Sequence, residues 1–391
     1  MGCGCARSAR ATATMRRFGI ALVAWTTLWT TASASATCDA SRTTVSDRRA
    51  DATSARLVVG AWNAEWLFDG QNDVSASPYS GGNVAGANAH VSDVANVVNA
   101  LDADVLVLVE AETCGVLERA AGSGNGTTYA AHMVQGTDTY TMQNVGLLTK
   151  VDVVRALTRV EDRGDYDSST STCAWSGRKD SGVSKHFLAR VRVNNRYVSI
   201  IGAHLKAFPT DASSCAQREA QAEVLRALAR ARYEAGDAVV VAGDLNDFSE
   251  LHADSDNNAP TSRVLAKLRD FDDDGVDELE EAVGSRVSQN DRYTWSSSTG
   301  SSRSKVDYIL TSSSDIRVVS ASIRHDLVTN AISDHYPLVA TIEILATRDE
   351  ASTKSKGVVG PVLYVIAALA VVIGIGLARK FGACKNRLAA K

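Results

Sequence analysis

Residues 238–247 read AVVVAGDLND: five apolar residues run into Gly243, and then Asp244, Asn246 and Asp247 appear together. That delivers carboxylates and a carboxamide to one place, the residue types that ligate hard metal ions or move protons. The arrangement recurs along the chain. WNAEW sets Asn63 after an apolar run, LVLVEAE sets Glu110 there, and GAHLKAF sets His204. KVDYIL opens a run with Asp307, and SDHYPL supplies Asp334 and His335. One such junction is ordinary, because Gly, Asp and Asn are turn residues. A whole series of acids, amides and imidazoles at the ends of apolar runs is not what turn chemistry alone produces.

Those side chains must be held by strands. Short apolar-rich runs bounded by Gly or polar residues read as strands, the unbroken ones as buried strands, and they fall at 57–62, 105–109, 145–148, 187–193, 197–203, 238–243, 306–310 and 337–344. The pair at 187–193 and 197–203 turns at Asn194 and Asn195. Val91, Val94, Ala95, Val98 and Leu101 recur at helical spacing, and 216–234 forms a second helix with Val224, Leu225 and Leu228 inward, stopped near Gly236. Residues 160–185 read as a long polar loop carrying Arg178, Lys179 and Lys185. Strands and helices interleave without a compositional break. The expectation is one α/β domain over residues 55–346.

The two ends differ from this middle. Residues 1–36 have Arg16 and Arg17, then the apolar FGIALVAWTTLW, then small residues at Ala34 and Ala36, the pattern of a secretory signal. Residues 358–378 carry no charge and would span about 31 Å as a helix, enough to cross a bilayer. A polar stalk, 347–357, precedes them, and a basic tail, 379–391, follows. Cations on that side of a spanning helix fit a type I single-pass protein with its domain outside the cytosol or in the lumen of the secretory pathway. The ends hold nine of the 41 basic residues and no acid, which leaves 32 against 45, a net of −13, for residues 37–378. Such a domain is not a general cationic surface for nucleic acid. A polyanionic substrate would need a metal ion and a local basic patch. Cys38, Cys114, Cys173 and Cys215 remain in the exported part, an even set suited to an oxidising compartment, and three pairings are open. Asn125 heads a glycosylation sequon.

Taken in order, WNAEW, LVLVEAE, GAHLKAF, GDLNDF, KVDYIL and SDHYPL resemble the successive motifs of the endonuclease/exonuclease/phosphatase superfamily, which includes DNase I-like nucleases, neutral sphingomyelinases and inositol-polyphosphate phosphatases. The element HLKA followed by Arg218-Glu219-Ala220-Gln221 is closest to secreted nucleases of the group. The resemblance implies a four-layer αββα sandwich with the site at one edge of two mixed sheets. It implies that Glu110 is the main ligand of Mg²⁺ or Mn²⁺, with Asn63 and Asp334 completing or orienting that shell. Asp244, steadied by Asn246, would deprotonate the attacking water. His335, held by Asp307, would stabilise charge on the phosphate, and His204 would act as a second histidine. The implied chemistry is metal-assisted in-line displacement at phosphorus.

Two further features carry expectations of their own. Asp270, Asp272, Asp274 and Glu281 satisfy the spacing of a calcium-binding loop, with an acidic turn in water as the other reading. Arg178, Lys179, Lys185 and Lys206, with Arg292, Arg303 and Lys305, are candidate phosphate contacts. Together these readings point to a membrane-tethered, metal-dependent nuclease acting on DNA or RNA, with no protein partner implied. A lipid or inositol-phosphate phosphodiesterase is the nearest alternative, and it would call for a hydrophobic loop beside the site, which the sequence does not reveal. A receptor ectodomain on a retired enzyme fold would be expected to have lost some of these acids and histidines.

Overall fold

The computed structural model describes Cys38 and residues 55–71, 73–122, 129–193 and 195–346. The expected signal, stalk, spanning helix and basic tail lie outside the described residues, as does Asn125. Among the described residues, no helix is long and apolar enough to cross a membrane.

The chain begins β1 (Arg56–Leu67), α1 (Val84–Leu101), β2 (Val105–Ala111), α2 (Cys114–Ala120), β3 (Ala130–Met133) and β4 (Asn144–Thr149). A ribbon of β5 (Arg163–Asp165) and β6 (Asp180–Gly182) leads to β7 (His186–Val193), β8 (Arg196–His204) and α3 (Ala212–Glu234). Next come β9 (Ala238–Asp244), α4 (Val264–Arg269) and β10 (Leu279–Glu281). A second ribbon, β11 (Trp295–Ser296) and β12 (Arg303–Ser304), precedes β13 (Asp307–Ser312), β14 (Ile316–Ile323) and β15 (Leu338–Ile344).

Two sheets carry the fold, in the orders β14-β15-β1-β2-β4-β3 and β10-β13-β9-β8-β7. Each has one parallel pair at its centre, β1 with β2 and β8 with β9, and antiparallel neighbours on either side. A parallel pair needs a crossover, and α1 and α3 supply the two. The strand period of two then sorts the side chains into layers. Val59, Val105, Val107 and Val109 of the first sheet meet Ile200, Val240, Ala242 and Ile309 of the second in one shared core. The intervening Leu106 and Leu108 pack with Val91, Val94 and Val98 of α1. On the far side, Val239, Val241 and Ile201 pack with Leu225 of α3 and Leu265 of α4. This is the expected order of helix, sheet, sheet, helix.

The polar loop expected at 160–185 is more ordered than its composition implies. Cys173 is bonded to Cys215 at the start of α3 and Cys38 to Cys114, which settles the pairing. Gly164 of β5 lies so close to α3 that a Cβ there would sit 2.0 Å from the Ala220 carbonyl oxygen.

Glu281 is the acid that departs furthest from expectation. It lies on β10, paired with β13, where Lys305 Nζ meets its carboxylate at 2.7 Å; the two side chains are 2% and 1% exposed. Burial alone would raise the Glu281 carboxyl, but Lys305 and the surrounding donors hold it far below the ordinary carboxylate range. It is therefore not available to the loop at 270–275. That loop gathers Asp270 and Asp272 with Glu278 instead. Asp270 and Asp274 accept backbone N–H groups of their own turn. The calcium-loop reading therefore fails at Glu281, because its carboxylate is buried and paired with Lys305. Removing one member of a buried ion pair strands the other, so Lys305→Met should cost about 3–5 kcal/mol in denaturant unfolding. Adding Glu281→Gln should recover much of that loss.

Candidate active site

Strand register brings the key residues together before any side chain is considered. On the second sheet His204 of β8, Asp244 of β9 and Asp307 of β13 occupy one row, so Asp244 is flanked on both sides. Gly243 lets the two strands close up here. It sits at φ 132, and a Cβ on it would lie 2.1 Å from the Ala203 carbonyl oxygen. On the first sheet β1 and β2 both end beside this row, and their register shifts between Asn63 and Leu67 and between Val109 and Ala111. A bulge re-aims a side chain. Glu110 at φ 67, Glu65 at φ 49 and Trp66 at φ 53 all lie in these irregular ends, and Asn246 at φ 52 follows Asp244. Left-handed backbone at non-glycine residues persists only where the surroundings fix it, and here it clusters at one place.

Hydrogen bonds supply that fixing. Asn63 Nδ2 donates to Glu110 Oε1 and to Asp244 Oδ2, each at 3.1 Å, joining the two sheets. The Glu65 N–H bonds Asn63 Oδ1 at 3.0 Å, which identifies the amide's oxygen end. Asn63 therefore presents its nitrogen to the two carboxylates and orients them. Trp66 N–H holds Glu110 Oε2 at 3.0 Å. Asn246 steadies Asp244 through its backbone N–H at 3.0 Å, while its side chain donates to the Leu205 carbonyl. Asp334 is held by two residues outside the sequence-derived set: its N–H donates to Glu65 Oε2, and Trp295 Nε1 donates to its Oδ2 at 2.7 Å.

His335 and Asp307 form the tightest unit. Nδ1 of the ring meets Asp307 Oδ2 at 2.8 Å, and Asp307 is fully buried. Nε2 lies 3.8 Å from Asp334 Oδ1 and 3.9 Å from Asp244 Oδ2, beyond hydrogen-bond length, so it is bonded to neither. Burial would lower the His335 pKa, but Asp307 and then Asp244 lift it to about 10. The ring is an imidazolium at neutral pH. His204 is the opposite case: burial and then Lys185 drive its pKa well below the ordinary value, so it stays neutral, with Nε2 3.7 Å from Asp244.

The carboxylates repel one another. Asp244 is raised to about 7 by burial and then by Asp307. Glu65 is raised to about 7 by burial and then by Asp334, with Glu110 adding to it. Oxygen donors crowded to this degree fit a hard divalent cation, which would relieve the repulsion. Asp244 and Asp307 come together with His335 at this point, and Glu65, Asp334 and Glu110 border it.

The expected cations divide. Lys206 and Lys185 line a cavity of about 500 Å³ together with Glu110 and His204. Lys179 lines a neighbouring cleft of about 370 Å³ with Arg159 and Arg163, and the two share Ser184, Gln217 and Gln221. Arg178 is exposed and lines neither. Arg292 is committed to the carbonyls of Ala253 and Val287, and Lys305 to Glu281, so both leave the list of phosphate contacts. The cavity also carries exposed Tyr140 and Phe208, the hydrophobic feature beside the site that the sequence did not reveal.

The chain belongs to the Endonuclease/Exonuclease/phosphatase family, whose model matches residues 60–335. Among solved structures it is similar to the catalytic domain of human Nocturnin with bound sulfate, at 16% identity and a TM-score of 0.48 over 74% of this chain and 94% of that one. It is also similar to truncated TDP2 of Caenorhabditis elegans, at 15% identity and 0.45 over 74% and 97%. A 3′ phosphatase, NExo from Neisseria, in complex with a product DNA hairpin, matches at 15% and 0.44 over 73% and 98%. No curated protein matches the chain in sequence.

Because the folded-state pKa of His335 lies above its ordinary 6.5, the stability from its pair with Asp307 is fully present below about 6.5 and is lost as pH rises through about 10. In Asp307→Asn the ring should titrate several units below 10 when followed by NMR, and turnover should fall about 10²–10⁴-fold.

Proposed function

We propose that this chain is a divalent-metal-dependent phosphodiester hydrolase acting on nucleic acid, DNA or RNA. The observation that carries the reading is Asp244, 1% exposed, set between His204 and Asp307 and bonded to Asn63, with the imidazolium of His335 beside it. A carboxylate buried among other carboxylates keeps a proton affinity near neutrality, which suits it to take a proton from an attacking water. Neutral His204 flanks it without neutralising it. His335 Nε2 is placed as a charged donor to a phosphoryl oxygen, and Asp307 fixes the ring and its protonation. Asn63 and the Trp66 N–H aim Glu110. A divalent ion held by Glu110 with Asp334 and Glu65 would supply Lewis-acid charge at the phosphate.

The signal-like residues 1–36 and the apolar residues 358–378 support a type I membrane tether, with this domain outside the cytosol. Exposed Tyr140 and Phe208 favour a second reading, a phosphodiesterase on lipid headgroups. The charged and amide groups set among those rings, Lys185, Lys206, Gln143, Gln217 and Gln221, favour a phosphate-bearing polyanion instead. The purified full chain should nick plasmid or cleave RNA with Mg²⁺ or Mn²⁺ and lose that activity in EDTA. Turnover of sphingomyelin or an inositol polyphosphate alone would move the substrate to the second reading. A folded chain inert on all of them would leave a binding ectodomain.

A further inference from the structure

Among the described residues, the two most exposed large hydrophobic side chains are Tyr140, 81% exposed, and Phe208, 64% exposed. They lie on different loops far apart in sequence, yet both line the cavity that Glu110 and His204 also line. Exposed aromatic rings cost solvation, and single ones are common enough to need no account. Two at the rim of one catalytic cavity are a feature of that cavity.

Both loops are braced to keep the rings there. Phe208 has φ 70, a strained conformation for an aromatic residue. Arg218, fully buried beneath it, donates to the carbonyls of Lys206, Phe208 and Pro209 at 3.2, 3.0 and 2.8 Å and is itself paired with Asp247 at 3.1 Å. The Tyr140 loop is tied by Asp138, which accepts the N–H groups of Tyr140 and Thr141 at 2.9 and 3.2 Å. Lys185 joins that loop to the site, 3.5 Å from Asp138 and 3.2 Å from Gln143. Lys206 Nζ stands 5.1 Å from the centre of the Phe208 ring. Each ring therefore has an ammonium group close to its loop.

Rings set among ammonium and amide groups, on a cavity wall with a large apolar share, fit flat bases joined by phosphates. We propose that Tyr140 and Phe208 form a base-stacking subsite for an unpaired nucleotide next to the scissile phosphate, with Lys206 and Lys185 taking its phosphates. This rests on the hydrolase reading and narrows it to single-stranded or locally unpaired nucleic acid, because the bases of an intact duplex are already stacked and cannot turn into a side cavity without being extruded.

The test uses the purified full chain with Mn²⁺ and four probes. These are bis-p-nitrophenyl phosphate, which has no base; a single-stranded oligonucleotide, as DNA and as RNA; the same sequence as a blunt duplex; and phosphatidylcholine vesicles. Wild-type protein should cleave strand over duplex at least tenfold in kcat/KM. Tyr140→Ala and Phe208→Ala should each raise KM for the strand by about 5- to 100-fold with a smaller change in kcat. Tyr140→Trp, which keeps a stacking surface, should restore the strand KM. Equal cleavage of strand and duplex, or an unchanged strand KM in both alanine variants, would overturn the subsite while hydrolysis of the aryl diester kept the hydrolase reading. Vesicle binding lost in the alanine variants with strand KM unchanged would assign the rings to a lipid surface instead. No hydrolysis of any phosphodiester would remove both readings together.

Discussion

Asp244 cannot be charged and buried without help, and most of the local architecture answers to that constraint. A carboxylate taken out of water either finds partners or picks up a proton. Here the partners come from both sheets: Asn63 from β1, His204 from β8, the Asn246 backbone, and His335 within 4 Å. The same compression that raises Asp244 is what holds His335 charged, because Asp307 and Asp244 stabilise its imidazolium together. An acid kept near neutrality beside a base kept charged is a division of roles made by environment rather than by residue type.

The fold places this cluster where two similar half-structures meet. Each sheet has a central parallel pair bridged by a helix, and the C-terminal ends of both pairs bring their polar residues to one edge of the sandwich. Regular strands would not suffice. Glu110 reaches the site from a bulge with left-handed backbone, and Asp334 is fixed by Trp295 from the small β11–β12 ribbon. Arg218 then extends the order outward, linking the Asp247 loop beneath the site to the Phe208 loop at its rim.

What was readable in advance followed from how local each signal is. The central strands announce themselves because they are buried on both faces and so are apolar without interruption, as 105–109 and 238–242 are. The residues at their ends could be named for the same reason. β14 was not visible: it is an edge strand in which exposed Val319 breaks the alternation and Ser320 to Ser322 follow, so its pattern does not stand out from a loop. Glu65 lay inside WNAEW but gave no sign that its carboxylate turns back to the Asp334 N–H. Charge was the least legible property. Lys305 and Arg292 looked like surface cations beside a catalytic aspartate, and Glu281 looked like a calcium ligand, because pairing across 24 residues and burial between elements leave no trace in local spacing. Tyr140 and Phe208, single aromatics in polar loops, became a pair only when the loops met.

The central claim is that the Asp244 carboxylate, and not its shape, performs the proton transfer. Asp244→Asn is nearly isosteric, can keep the contact with the Asn246 N–H, and removes one charge from a crowded cluster. Single-turnover cleavage of a phosphodiester by this variant, measured alongside its unfolding midpoint, separates the two. The account predicts a loss of at least about a thousandfold in rate in a variant that still unfolds cooperatively, the relief of like-charge repulsion offsetting part of the bond lost from Asn63. Turnover within about tenfold of wild type in the same folded variant would contradict it and move the general base to another residue.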